Sequence, residues 1–185
     1  YDWCEKHNCK FTGHAMMEDN IYCQMACTAG VMPLYEYMHI PGMDWLGRGI
    51  ASPLIPKQVG SAAKQLGKKH VLSETYACCG WDVSPTELKR IADVQYASGV
   101  NLMCQHLYPY SERGQRKRDY PLHYSEHNPW VKAEFRAFND YFTALGCMLA
   151  DSREEAPVAI VHPIHAAYLT YKHNDPHSVE ALDAR

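Results

Sequence analysis

Glu74 closes a short apolar run, Lys69-His70-Val71-Leu72-Ser73-Glu74-Thr75-Tyr76, and a carboxylate so placed is delivered to the C-terminal end of a strand. An aromatic turn from Tyr76 to Trp81 follows, and then a segment with strong helix signals. Three other segments repeat the plan and end in polar or aromatic groups: His14 with Glu18, Glu36 with His39 and Asp44, and Asn101 with His106 and Tyr108. Carboxylates, imidazoles and aromatic rings gathered at strand ends are what a carbohydrate site requires. Paired carboxylates do acid–base work at a glycosidic bond, and rings pack on pyranose faces. Glu74 is the expected reactive group, with His14, Glu36, His39, Asp44, Tyr76, Trp81, Asn101, His106 and Tyr108 arranged around a sugar.

Each residue also has a plainer reading. Glu74 fits a solvated loop carboxylate, and His14 and His106 fit hydrogen-bonded rim histidines. Glu36 is a possible structural partner for Arg48, Asp44 for a loop turn, and Trp81 for core packing. In Met17-Glu18-Asp19-Asn20, capping of the next helix explains Asp19 and Asn20 better than catalysis does.

The elements that must position these groups alternate. Strands are expected over 10–16, 31–38, 69–76 and 100–108, with helices over 21–29, 56–66, 84–98 and from Asn128 to about Leu149. The third helix is the best marked: Ser84 suits the N-cap, Pro85 the first turn, Glu87 completes a capping box and Gly99 ends it. His39 to Gly49 reads as a loop because of its glycines and proline. Helical crossovers let successive strands run parallel. No GxGxxG or GxxxxGK[ST] follows any of them, which removes the nucleotide-binding reason for an open doubly wound sheet. The fold class expected is therefore α/β, with residues 1–150 forming half of a (β/α)8 TIM barrel. Beyond it, 151–155 reads as a charged linker and 156–163 as the first strand of a second, truncated domain.

Composition sets broader limits. The chain has 185 residues, 46% hydrophobic and 21% charged, in the range of a globular domain. Its net charge of −3 and interspersed signs offer no basic stripe for phosphates, so nucleic acid is not an expected partner. The Arg113 to Arg118 cluster reads as a solvated loop. No apolar run approaches the length of a membrane span, so no membrane partner is expected. The eight cysteines lack CxxC or zinc-knuckle spacing, and their places in apolar strand and helix patterns favour free, mostly buried thiols in a reducing, cytoplasmic compartment. The abrupt start at Tyr1 and end at Arg185 suggest a fragment, inactive alone, whose remaining barrel lies upstream of Tyr1.

The segments Ser73 to Trp81 and Gly99 to Tyr108 resemble the α-L-rhamnosidases of glycoside hydrolase family 106. Thr12-Gly13-His14, His39 to Asp44, Asp119-Tyr120-Pro121 and Asn128-Pro129-Trp130 add to the likeness, which covers roughly residues 1–150. The resemblance implies the last four β/α units of the barrel and an inverting glycosidase assisted by calcium. Glu74 is then the general base, and the general acid belongs to the fourth strand, upstream of Tyr1. The calcium rests on the resemblance alone, because no DxDxDG-type cluster is present. A retaining, β-galactosidase-like enzyme and a non-catalytic carbohydrate-binding barrel are the alternatives.

Overall fold

A computed structural model describes residues 1–50, 52–108, 113, 124 and 128–183. Asp119-Tyr120-Pro121 and most of the Arg113 to Arg118 cluster lie outside the described residues. Four parallel strands, β1 (Thr12–Gly13), β2 (Ile40–Trp45), β3 (Leu72–Thr75) and β4 (Leu102–Gln105), lie side by side in chain order. Between and around them run α1 (Asp2–Lys6), α2 (Ile21–Cys27), α3 (Leu54–Gln65), α4 (Pro85–Ala97) and α5 (Pro129–Ala150). The α4 N-terminus is the capping box expected: the Ser84 hydroxyl accepts from Glu87 N–H, and the Glu87 carboxylate accepts from Ser84 N–H.

The second strand is displaced from its expected place. Met32–Tyr37 forms a 3₁₀ helix, and the strand is Ile40–Trp45, within the segment read as a loop. Val31, Tyr35 and Met38 are the buried residues of the first segment, and their spacing is helical rather than alternating. The proline and glycine that argued against a strand at 40–45 have local explanations. Pro41 precedes the β2–β3 ladder, which begins at Gly42↔Leu72, so its missing N–H leaves that ladder intact. A Cβ on Gly42 would lie 2.4 Å from the Gly13 carbonyl oxygen, so the close β1–β2 approach demands glycine.

Side chains alternate across the sheet. Met43, Trp45, Ser73 and Thr75 face the helices: both residues of β2 are buried, and Gln95 of α4 bonds the Ser73 and Thr75 hydroxyls at 2.7 and 3.0 Å. Gln105 of β4 donates to Asn139 of α5 on the same side, at 2.6 Å. Ile55, Val59, Ala62 and Ala63 of α3 and Leu88, Ile91, Ala92 and Tyr96 of α4 supply the core there, spaced as amphipathic helices require. The other face carries Leu72, Glu74, Leu102 and Cys104, and it opens toward β4, where Leu102 is 37% exposed. A doubly wound sheet is covered on both faces. This mixed α/β arrangement, with helices on one face of a parallel sheet, is compatible with part of an α/β barrel.

The expected strand at 156–163 is absent. Val158, Ile160 and Val161 are 76–91% exposed between Pro157 and Pro163, in a segment that pairs with none of the described strands. An apolar run becomes a strand only where a neighbour offers backbone partners. The chain then forms α6 (Ile164–Thr170), a 3₁₀ turn (Pro176–Ser178) and α7 (Glu180–Asp183). Ile164, Ala167 and Val179 pack on Ile21 of α2, so this segment folds back on the preceding residues. The eight cysteines are free thiols, but against expectation only Cys79 is buried, and Cys9, Cys27, Cys78, Cys104 and Cys147 are exposed. Among the described residues no helix is long and apolar enough to cross a membrane.

Candidate functional site

The C-terminal ends of the four strands bring four polar side chains to one end of the sheet. β1 is followed by His14, β2 carries Asp44, β3 carries Glu74, and β4 is followed by His106. Asp44 and Glu74 are register partners on neighbouring strands and so project from the same, open face. His14 Nε2 reaches Glu74 Oε2 at 3.2 Å, with the two side chains 28% and 32% exposed.

The His14 proton state follows from its other contact. Nδ1 lies 2.8 Å from the Ala15 carbonyl oxygen, which only accepts, so Nδ1 carries a proton. A bare Nε2 would then point its lone pair at a carboxylate oxygen. An imidazolium removes that repulsion. Burial draws the His14 pKa down, but the Ala15 carbonyl and the Asp44, Glu74 and Glu18 carboxylates outweigh it, and the net shift is upward. For Asp44 the net shift is also upward, chiefly through burial and with help from Glu74; His14 and His106 pull against it. Asp44 Oδ1 is buried and has no hydrogen-bond partner among the described residues.

Glu18, paired with His14 in the sequence but not among the residues expected around the sugar, supports this group from beneath. It is 3% exposed. One carboxylate oxygen accepts from Ala15 N–H at 3.1 Å, and the other from Asp44 N–H at 3.2 Å. Its own carbonyl accepts from the Gln24 and Gln58 amides at 3.0 and 3.3 Å. Burial pushes the carboxyl up to about 7 against these hydrogen bonds. Glu18 and Asp44 line a hollow closed by Ala15, Trp45, Leu46 and Ile55. The sequence signal was the i, i+4 pair His14 and Glu18 just past a strand. It was obscured by Asn20, which does cap α2 by accepting from Cys23 N–H at 2.8 Å.

The raised Glu18 pKa has a consequence for stability. Its folded value is about 7 and its ordinary value 4.5. The contribution is therefore fully present below pH 4.5 and is lost as pH rises through 7. The loss is on the order of 3 kcal/mol, from the proton linkage of a shift of this size. Denaturant unfolding of the wild type and Glu18→Gln between pH 4 and 8 should show the wild type losing stability relative to the variant as pH rises. A pH-independent difference would contradict this.

The remaining expected site residues divide by position. Glu36 is exposed on the 3₁₀ helix before β2, and its carbonyl accepts from Lys68 Nζ ahead of β3, which puts it at the N-terminal end of the sheet. Arg48, its suggested partner, instead bonds the Cys79 carbonyl, Asp82 and Glu87. His39 also lies at the N-terminal end, accepting from Phe11 N–H at 2.9 Å and stacking on Tyr1 at 4.1 Å. Asn101 joins the two there, accepting from Val71 N–H and donating to the Lys69 carbonyl, both at 3.0 Å. Glu36 and His39 lie away from the site because β2 begins where the expected strand ends, and Asn101 because it directly precedes β4 rather than following it. Tyr76 is fully buried against Phe138, on the helix side, because its positive φ of 82° turns it out of the strand's alternation. Trp81 and Tyr108 sit on the loops after β3 and β4, 61% and 62% exposed.

Calcium takes about six to eight oxygen ligands. Among the described residues no three His, Cys, Asp or Glu side chains converge as a metal site. The donors at this end, two carboxylates and two imidazoles, do not by themselves fit that ion.

No protein-family profile matches the sequence, and no curated protein matches it. In three dimensions the chain is similar to the solved structure of a rhamnosidase from Novosphingobium sp. PP1Y, with a TM-score of 0.61 at 20% identity. The likeness covers 82% of this chain and 15% of that one. At that identity it speaks for a shared fold.

Proposed function

We propose that the chain is part of an inverting glycoside hydrolase of the α-L-rhamnosidase type, contributing the last four β/α units of a (β/α)8 barrel. The observation that carries this reading is Glu74, a carboxylate on the open face at the C-terminal strand ends, held by His14 at 3.2 Å with Asp44 beside it. Reactive groups of β/α barrels occupy that end, and the fold likeness to a rhamnosidase supports the same class.

In this mechanism Glu74 Oε2 is held by the His14 imidazolium, and the second oxygen takes a proton from water as the water attacks the anomeric carbon. The aglycone leaves from the opposite face, protonated by a general acid from a part of the protein outside this chain. Inversion needs about 6.5–9.5 Å between the two carboxyls, room for the water. Asp44 and His106 border the same site, and the exposed rings of Trp81 and Tyr108 offer stacking surfaces. Calcium, which the family resemblance suggests, would draw most of its ligands from elsewhere, and no step above depends on it.

Hydrolysis of an aryl α-L-rhamnoside by the full-length protein, followed by NMR, tests the assignment. The first sugar released should be the β-anomer. Release of the α-anomer would make Glu74 a nucleophile in a retaining enzyme, with its partner about 5–5.5 Å away. Binding without turnover would leave a carbohydrate-binding barrel.

A further inference from the structure

β1 is two residues long, and only Thr12↔Ile40 and Gly13↔Pro41 register it on β2. The chain leaves the sheet at His14, the residue whose imidazole meets Glu74. Two ladder pairs do not hold the segment that follows. Glu18 does: its two carboxylate oxygens take one N–H from Ala15 on that segment and one from Asp44 on β2. Glu18 is itself anchored, since the Gln24 amide of α2 and the Gln58 amide of α3 both donate to its carbonyl, and Gln24 donates to Gln58 at 3.1 Å. A rigid path thus runs from the helix layer through Glu18 to the two backbone points beside His14 and Asp44.

We infer that Glu18 is the positioning residue of this site, clamping the segment that carries His14 to the strand that carries Asp44 and so setting the His14–Glu74 contact. The inference rests on the hydrolase reading for its effect on turnover, but the clamp itself is a matter of geometry. A carboxyl group offers two oxygens, and those of Glu18 accept at 3.1 and 3.2 Å from N–H groups of two separate segments. An apolar side chain would fill the volume but would accept from neither.

The test uses Glu18→Asp and Glu18→Gln in the full-length protein. Asp keeps the charge but is one methylene too short to span both amides, while Gln keeps the length but turns a donor toward an N–H. Both should lower kcat by about 10- to 100-fold, the scale of a misplacement near 1 Å, with KM within about threefold. Hydrogen exchange of the peptides containing Ala15 and Asp44 should quicken in both variants. Folded variants with wild-type kcat, or with a raised KM alone, overturn the inference, as does unchanged exchange in those two peptides. Glu74→Gln separates this from the broader reading: if it leaves turnover intact Glu74 is not the base, and the clamp is then judged on chemical modification. Carbethoxylation of His14 should speed up severalfold in Glu18→Asp, because the loosened segment draws the imidazole away from Glu74. An unchanged rate in Glu18→Asp overturns the clamp without reference to activity.

Discussion

Glu74→Gln in the full-length protein is expected to lower kcat by about 10²- to 10⁴-fold, the usual contribution of a positioned general base, while substrate affinity is kept. Gln has nearly the shape of Glu, and its amide oxygen can still accept from the His14 imidazolium that meets Oε2 at 3.2 Å. What it lacks is an oxygen basic enough to take the proton of an attacking water. A loss confined to kcat therefore points to the transition state rather than to binding. Replacing His14 by Asn should have a smaller effect on kcat, because the carboxylate would lose orientation and not basicity. Steady-state kinetics on an aryl glycoside, with affinity measured separately by calorimetry on the Gln variant, checks both parts. Undiminished turnover in Glu74→Gln would remove the proposed base.

The second large effect expected is on stability. Gly42→Ala places a Cβ 2.4 Å from the Gly13 carbonyl oxygen and 3.5 Å from Leu72 Cδ2. The first neighbour is backbone, so it cannot rotate away; β1 and β2 must separate. Overpacking of this kind costs about 1–3 kcal/mol, and the strand that moves is the one that delivers His14. Gly49→Ala is the control, since nothing lies within 4 Å of its added Cβ. Thermal unfolding should show a clear fall in Tm for the first and almost none for the second. Equal effects would mean that close approach of the strands is not what requires glycine at 42.

How much of this was legible in the amino-acid order can be argued residue by residue. The α4 capping box was, because Ser84, Pro85 and Glu87 act within one turn and need nothing distant. The β3 and β4 segments were also legible, as was the parallel arrangement, because apolar runs separated by helix-length crossovers leave few alternatives. The strand at 40–45 was not. Its Pro41 and Gly42 look like loop residues until β1 lies against them, and the requirement for Gly42 exists only because the Gly13 carbonyl is there. That one displacement sent Glu36 and His39 to the opposite end of the sheet and raised Asp44 from a loop residue to the register partner of Glu74.

By itself the sequence determined that strands and helices alternate through 1–150, and that Glu74, His14 and His106 stand at strand ends. Local propensity and periodicity carry such information within a dozen residues. Only the tertiary structure decided which strand ends share a face, that His14 crosses to Glu74, and that Glu18 holds Ala15 and Asp44 from below. Register between strands is set by contacts among residues about 30 positions apart, and a shift of a single residue reverses which face every side chain meets.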